Sequence, residues 1–200
     1  MPWKAWGAFF RLLKQVVRLD RELWYEIPEE SRLPRIGIVG EIFSILSPET
    51  NKDLIKKLER MGALVQNSLP LSYFLFKGLY IKGLMKQRNI DREVWLRARK
   101  LAHEYFPKEI GGHGNESIVN TLYYAMKGFD GVIHVIPFPC MPESTVAPII
   151  DDIGQNYEMP IMRLIFDTHT AEGGLDTRLE AFVDIIKRKK ERRYVLSNEV

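Results

Sequence analysis

The residues best suited to chemistry lie where predicted strands give way to loops. Cys140 is the only cysteine of the chain, and it follows Val132–Ile136, an apolar run that predicts a strand buried on both faces. Pro137 and Pro139 end that strand because proline cannot donate to a sheet ladder, and a helical pattern restarts near Pro142. A helix N-terminus favours a thiolate, so we expect a lowered pKa for Cys140. A buried structural cysteine is the alternative interpretation.

A glycine-rich loop carries the first histidine of interest. In Gly111–Ser117, three glycines surround His113, which permits a tight backbone and leaves the imidazole accessible. A helix is predicted from about Asn115 to Lys127, so the loop leads into a helix N-terminus, where anions bind readily. A flexible turn without a function is the alternative.

Carboxylates and a second histidine follow two other predicted strands. Glu41 comes directly after Arg35–Gly40, and Asp167, His169 and Glu172 come after Pro160–Phe166. In open α/β sheets, ligands collect at the carboxyl ends of the strands. We therefore expect one shared site made of Cys140, His113, His169, Asp167, Glu172 and Glu41.

Three chemistries fit this set, and the residues alone do not choose among them. Cys140 could be a nucleophile with His113 or His169 as its base, as in a small Cys/His-dependent hydrolase. The set could bind zinc, although no C-x-x-C or H-E-x-x-H spacing supports this. Finally, Cys140 could be one ligand of an iron–sulfur cluster, whose other thiolates would come from another chain or domain. His134, inside a predicted strand, is expected to be a core histidine with a satisfied partner.

The periodicity of the chain predicts an α/β fold that positions these loops. Four strands are expected, over Arg35–Gly40, Ala63–Asn67, Val132–Ile136 and Pro160–Phe166, with helices between them. The expected helices are Lys52–Met61 after an irregular loop, Asn115–Lys127, a segment from near Pro142 to Tyr157, and Leu175–Arg192. This alternation predicts a three-layer, Rossmann-like domain with a mainly parallel sheet of about four strands.

Two further helical segments complete the prediction. Residues 3–27 show a broad apolar face at helical spacing, so residues 1–33 are expected to be an N-terminal amphipathic helix and linker, and residues 34–200 the Rossmann-like domain. Residues 70–106 are expected to be a helical insertion, broken near Asn89 with Asp91 as the N-cap of its second part.

Composition limits the function classes. The chain has 200 residues, of which 46% are hydrophobic and 28% charged, so it can bury a real core. A net charge of +3 gives no surface-wide basic field, so we expect no nucleic-acid partner. No run approaches the roughly 20 apolar residues of a membrane span. One cysteine fits a reducing compartment, and a cytoplasmic location is expected.

Four motifs occur in an order that resembles a known family. The sequence looks like the 2-hydroxyacyl-CoA dehydratase D-component-like family, in the branch associated with CoA-substrate-specific enzyme activases. The resemblance covers about residues 35 to 187. It is carried by Gly37–Phe43, Gly111–Ser117, Gly128–His134 with Pro137–Glu143, and Phe166–Glu172 with Thr177–Phe182.

The resemblance implies two Rossmann-like domains that face a [4Fe-4S] cluster, and an ATP-dependent activase that supplies single electrons at low potential. Cys140 matches the cluster ligand of the C-terminal domain. The loops around His113 and from Asp167 to Glu172 would then line the cluster or a cleft for a CoA ester.

The sequence departs from the family pattern in one respect. The family's N-terminal domain with its own cysteines is missing, so we expect either a separate cysteine-bearing subunit or a detached half without activity of its own. Lyase-type activity would require that partner. A non-catalytic interaction or scaffold domain that has lost the cluster is the alternative.

Overall fold

A computed structural model describes residues 31–68, 91–167 and 172–198, with four isolated positions at residues 7, 11, 14 and 15. The three ranges belong to one compact unit, and the other unit comprises residues 1–26 and 69–90. The helix expected over residues 3–27 and the first part of the expected insertion therefore lie largely outside the described residues. The domain division expected at residue 34 stays a prediction.

The described residues form an α/β domain of four strands and seven helices. The strands are β1 (Arg35–Gly40), β2 (Leu64–Asn67), β3 (Gly131–Pro137) and β4 (Ile161–Phe166). The helices are α1 (Ile42–Leu46), α2 (Pro48–Asn51), α3 (Leu54–Arg60), α4 (Arg92–Tyr105), α5 (Gly114–Met126), α6 (Met141–Asn156) and α7 (Glu172–Asn198).

The sheet is entirely parallel, with the strand order β2-β1-β3-β4. β1 and β3 are almost fully buried along their length, as their runs of Val and Ile predicted, and Arg35 and His134 are the polar residues within them. The order of the strands reverses between β1 and β3, and this is the point where ligands bind in open α/β sheets. The predicted Rossmann-like class is confirmed.

Helices cover both faces of the sheet. On one face, a Cβ at Gly37 of β1 would lie 2.3 Å from the Tyr124 ring, so α5 sits directly on the strand. On the other face, a Cβ at Gly131 of β3 would lie 2.5 Å from Ile186 of α7. These close approaches explain why these two strand positions are glycine.

The predicted helices are found within two residues of their expected ends, except that α7 extends beyond Leu175–Arg192 on both sides and that the first loop contains helices. Asp91 caps α4 as expected, since its carboxylate accepts from the main-chain N–H groups of Glu93 and Val94 at 3.1 Å. The loop expected between residues 41 and 51 is wrong, because it contains the short helices α1 and α2. Glu41 and Ser47 cap these helices, and helices this short show no apolar period in the sequence.

The amino ends of the strands are joined by an ionic network, which we call the amino-edge network. The carboxylate of Asp130 accepts from the main-chain N–H of Arg35 at 2.8 Å and from Nζ of Lys190 at 2.6 Å. The Arg35 guanidinium donates to the main-chain carbonyls of Lys127 and Gly128. In the ranges that the structure describes, no helix is long and apolar enough to cross a membrane.

Candidate functional site

The strand ends at the reversal point are held together by main-chain contacts. Gly40 has a φ of +135°, and a Cβ there would lie 2.0 Å from the carbonyl oxygen of Val135. The main-chain N–H of Glu41 donates to that same oxygen at 3.2 Å. Only glycine permits both this φ and this approach, so the end of β1 is clamped onto β3.

Glu41 is a helix cap in the structure. One carboxylate oxygen accepts from the main-chain N–H of Phe43 at 3.0 Å, and the other accepts from Ser44 at 2.8 Å. A carboxylate is stabilised at a helix N-terminus by these otherwise unpaired N–H groups. The catalytic role expected of Glu41 stays a prediction.

Cys140 lies at the N-cap position of α6, at the carboxyl end of β3. Its main-chain N–H donates to the carbonyl of Pro137 at 2.7 Å, which closes a tight turn. The side chain is half-buried. The place between strand and helix is the one that the sequence predicted.

The electrostatic prediction for Cys140 is wrong. Burial raises the pKa of the thiol, and the negative charges of Glu143 and Glu41 raise it further. A hydrogen bond from the main-chain N–H of Glu143 lowers the pKa but does not offset the desolvation. The helix N-terminus therefore contributes in the expected direction, while burial and the two carboxylates decide the outcome.

Large apolar side chains are exposed around this edge. Phe43 follows β1 and is 67% exposed, while Phe138 and Met141 flank Cys140 and are 73% and 72% exposed. We call these three side chains the apolar rim. Exposed apolar groups of this size next to a strand-end site are typical of a surface that contacts a ligand or another protein.

The glycine loop lies against the segment that carries Cys140. A Cβ at Gly112 would lie 3.1 Å from the Pro142 side chain, and a Cβ at Gly114 would lie 3.0 Å from the Pro142 carbonyl oxygen. His113 precedes α5, and its carbonyl accepts from the main-chain N–H of Ser117 at 2.9 Å. The structure therefore brings the loop of His113 next to the loop of Cys140, as expected.

The loop after β4 is described only at its beginning. Asp167 is exposed directly after β4, and Phe138 donates to the carbonyl of Phe166 at 2.8 Å, so this loop starts at the same edge as the Cys140 loop. His169 and the side chain of Glu172 lie outside the described residues. Their expected place in the site, and the roles of Asp167 and His113, stay predictions.

A buried polar cluster lies directly behind Cys140, and sequence reasoning did not identify it. His134 and Glu143 are both fully buried, and Nε2 of His134 is 2.7 Å from a carboxylate oxygen of Glu143. The other oxygen accepts from the hydroxyl of Ser117 at 3.1 Å. We call Ser117, His134 and Glu143 the buried cluster.

The expectation that His134 is a core histidine with a partner is confirmed. Its partner is Glu143, nine residues later on the next helix. A histidine inside an apolar strand already requires a polar partner. The first-turn glutamate of α6 is the signal that could have identified that partner.

The described residues contain no group of three or more His, Cys, Asp or Glu side chains placed to hold a metal ion. Comparison with known proteins adds no relative, because no protein-family model, no curated protein and no solved structure matches the chain.

Proposed function

We propose that this chain is the C-terminal half of a 2-hydroxyacyl-CoA dehydratase-like iron–sulfur protein. In this proposal Cys140 contributes one thiolate to a [4Fe-4S] cluster shared with another domain or subunit. The observation that carries it is the position of the only thiol of the chain, half-buried where the strand order reverses and flanked by exposed Phe138 and Met141.

The donor set of this chain fits a shared cluster and does not fit a complete one. A [4Fe-4S] cluster is usually held by four thiolates, and the chain has one cysteine. The other ligands must therefore come from another domain or chain. The apolar rim offers a surface for that contact, because apolar groups beside a metal–thiolate site keep water away.

The raised pKa of Cys140 supports a role as ligand over a role as nucleophile. A thiol with a raised pKa stays largely protonated at neutral pH, which disfavours the Cys/His hydrolase. A bound iron would remove the proton, because a metal-coordinating thiol is deprotonated outright. When bound, the cluster would supply single electrons at low potential for a radical dehydration of a CoA ester, after reduction by an ATP-dependent activase.

The chain's own residues would tune such a cluster by charge. Glu41 and Glu143 place negative charge close enough to the sulfur to raise its pKa. The same charges oppose the addition of an electron nearby and so lower a reduction potential. A low potential is the property that the proposed chemistry requires.

An interaction domain without a cluster is the second candidate. The apolar rim supports it, since exposed Phe43, Phe138 and Met141 would bind a partner protein whether or not iron is present. The two candidates differ in the fate of Cys140. In an interaction domain the thiol binds no metal.

Anaerobic iron and sulfide analysis with an absorbance spectrum tests the proposal. We would measure the chain alone and after co-expression with the products of adjacent reading frames, in particular any cysteine-bearing chain. We expect iron and sulfide only in the pair. A stable pair that contains no iron after anaerobic reconstitution would contradict the cluster proposal and leave the interaction domain.

A further inference from the structure

The side chain of Glu143 joins three elements of the domain. It belongs to the first turn of α6, pairs with His134 of β3 at 2.7 Å, and accepts from Ser117 of α5 at 3.1 Å. The second ring nitrogen of His134 has no hydrogen-bond partner among the described residues. The polar attachment of His134 within this part of the chain is therefore made through Glu143.

A carboxylate that is fully buried stays in place only when its oxygens are hydrogen-bonded. Both oxygens of Glu143 are used, by groups on two different elements. Moving the start of α6 would break both interactions and leave polar groups unpaired in the core. The buried cluster thus fixes the first turn of α6 against both β3 and α5.

Cys140 is attached directly to this fixed turn. It is the N-cap residue of α6, and its carbonyl accepts from the main-chain N–H of Ser144 at 3.0 Å. Glu143 lies three residues after Cys140, in the first turn of the same helix. Next to it, Pro142 packs on Gly112 and Gly114, the residues that lead into the helix of Ser117.

We propose that Glu143 is a positioning residue for Cys140. Its buried side chain holds the first turn of α6, and with it the cysteine loop, in one place. The inference rests on the proposed function, since the placement of this sulfur matters only if it acts as a ligand. Hydrogen bonds to ligand sulfurs and the groups that orient them are a recognised means of tuning a metal site.

Alkylation of Cys140 by iodoacetamide tests this placement without iron. Because the chain has one cysteine, the reaction reports on this thiol alone. The rate is measured across pH and compared at its alkaline limit, where the thiol is fully ionised and the rate reflects accessibility. We expect Glu143→Ala to raise this limiting rate roughly fivefold to tenfold through local opening of the loop, and Ser117→Ala to raise it less.

Two variants separate positioning from a general loss of stability. Glu143→Gln keeps the shape and can still hydrogen-bond both partners, so its limiting rate should stay near that of the wild type. Asp130→Ala weakens the amino-edge network, far from the thiol along β3, and should leave the limiting rate unchanged. If Glu143→Ala does not fold, Ser117→Ala, which removes one hydrogen bond, answers the question.

An unchanged limiting rate in Glu143→Ala and Ser117→Ala would overturn the inference. A rate in Glu143→Gln as high as in Glu143→Ala would overturn it as well. The outcome is independent of the cluster proposal. If the variants raise the alkylation rate but the chain never takes up iron, the positioning role is supported and the cluster proposal is contradicted. If the chain takes up iron but the variants leave the rate unchanged, the cluster proposal is supported and the positioning role is contradicted.

Discussion

The two edges of the parallel sheet differ in where their polar groups lie and in what surrounds them. At the amino edge, the buried carboxylate of Asp130 is paired with Lys190 and with the main-chain N–H of Arg35, and the Arg35 guanidinium donates to main-chain carbonyls. At the carboxyl edge, the buried cluster lies inside, and the surface above it carries a thiol and the apolar rim.

From this difference we expect the carboxyl edge, and not the amino edge, to carry the function. At the amino edge, Asp130 is paired with Lys190 and hydrogen-bonded to the main chain, which contributes to stability. The carboxyl edge leaves large apolar side chains exposed beside a half-buried thiol, which brings no evident gain to the folded chain alone. Substitutions at the two edges should accordingly separate stability from function.

Gly40→Ala should be the most damaging single change. Its Cβ would overlap the carbonyl oxygen of Val135 at 2.0 Å, with a φ of +135° that other residues rarely adopt. We expect a loss of about 3 to 5 kcal/mol in the free energy of unfolding, measured by urea denaturation. Gly111→Ala is the matched control, because a Cβ there meets nothing within 4 Å. Equal losses in the two variants would contradict the clamp between β1 and β3.

Asp130→Ala should have the next largest effect. It removes the partner of the Arg35 main-chain N–H and of Lys190 in a site where the Asp130 side chain is only 6% exposed. We expect a loss of about 3 kcal/mol by urea denaturation, since one partner of a buried pair is left uncompensated.

The control for Asp130 is Lys56→Ala, which breaks a solvent-exposed pair with Asp53 and should change the urea midpoint little. If Asp130→Ala had the same urea midpoint as the wild type, the amino-edge network would not stabilise the fold.

The pH dependence of Cys140 alkylation should follow from its environment. Burial and two carboxylates raise the pKa of the thiol above its ordinary value. The thiolate is the reactive form, so the rate should be low at neutral pH and rise as the pH passes through this raised pKa. We expect the rate at pH 7 to be less than roughly one tenth of the alkaline limit. If the alkylation rate had already reached its maximum near pH 7, the thiolate would be stabilised, and this would support Cys140 as a nucleophile.

Phe138→Ser should have the smallest effect on the isolated chain. The side chain is 73% exposed, so the free energy of unfolding should change by less than about 0.5 kcal/mol. Binding to a cysteine-bearing partner should weaken, as measured by co-purification or calorimetry. Ile185→Ser on the outer side of α7, where the side chain is 57% exposed, is the control. If Phe138→Ser bound the partner as tightly as the wild type, Phe138 of the apolar rim would not belong to the proposed interface.

Much of the fold could be predicted from sequence because its signals are local. Four apolar strands, the cap at Asp91 and the helix after Cys140 each follow from patterns within a few residues. The short helices α1 and α2 could not be predicted, because they depend on capping by Glu41 and Ser47 and are too short for a period.

The site was harder to predict, since its energetics depend on distant residues. Cys140 was identified by its place after a strand, but the direction of its pKa shift depends on burial and on Glu41, which lies about one hundred residues away in the sequence. The buried cluster joins Ser117 to a residue 26 positions later. Neither of these long-range interactions produces a periodic pattern within one segment of the sequence.

The most direct test of the account is the ligand role of Cys140 in the assembled complex. Wild-type chain, Cys140→Ala and Cys140→Ser would each be purified anaerobically with the partner, and iron, sulfide and the electron paramagnetic resonance spectrum of the reduced sample compared. We expect Cys140→Ala to lose cluster iron, and Cys140→Ser to lose it or to show a shifted spectrum, while both variants still fold. Full iron content with an unchanged spectrum in Cys140→Ala would contradict the central claim.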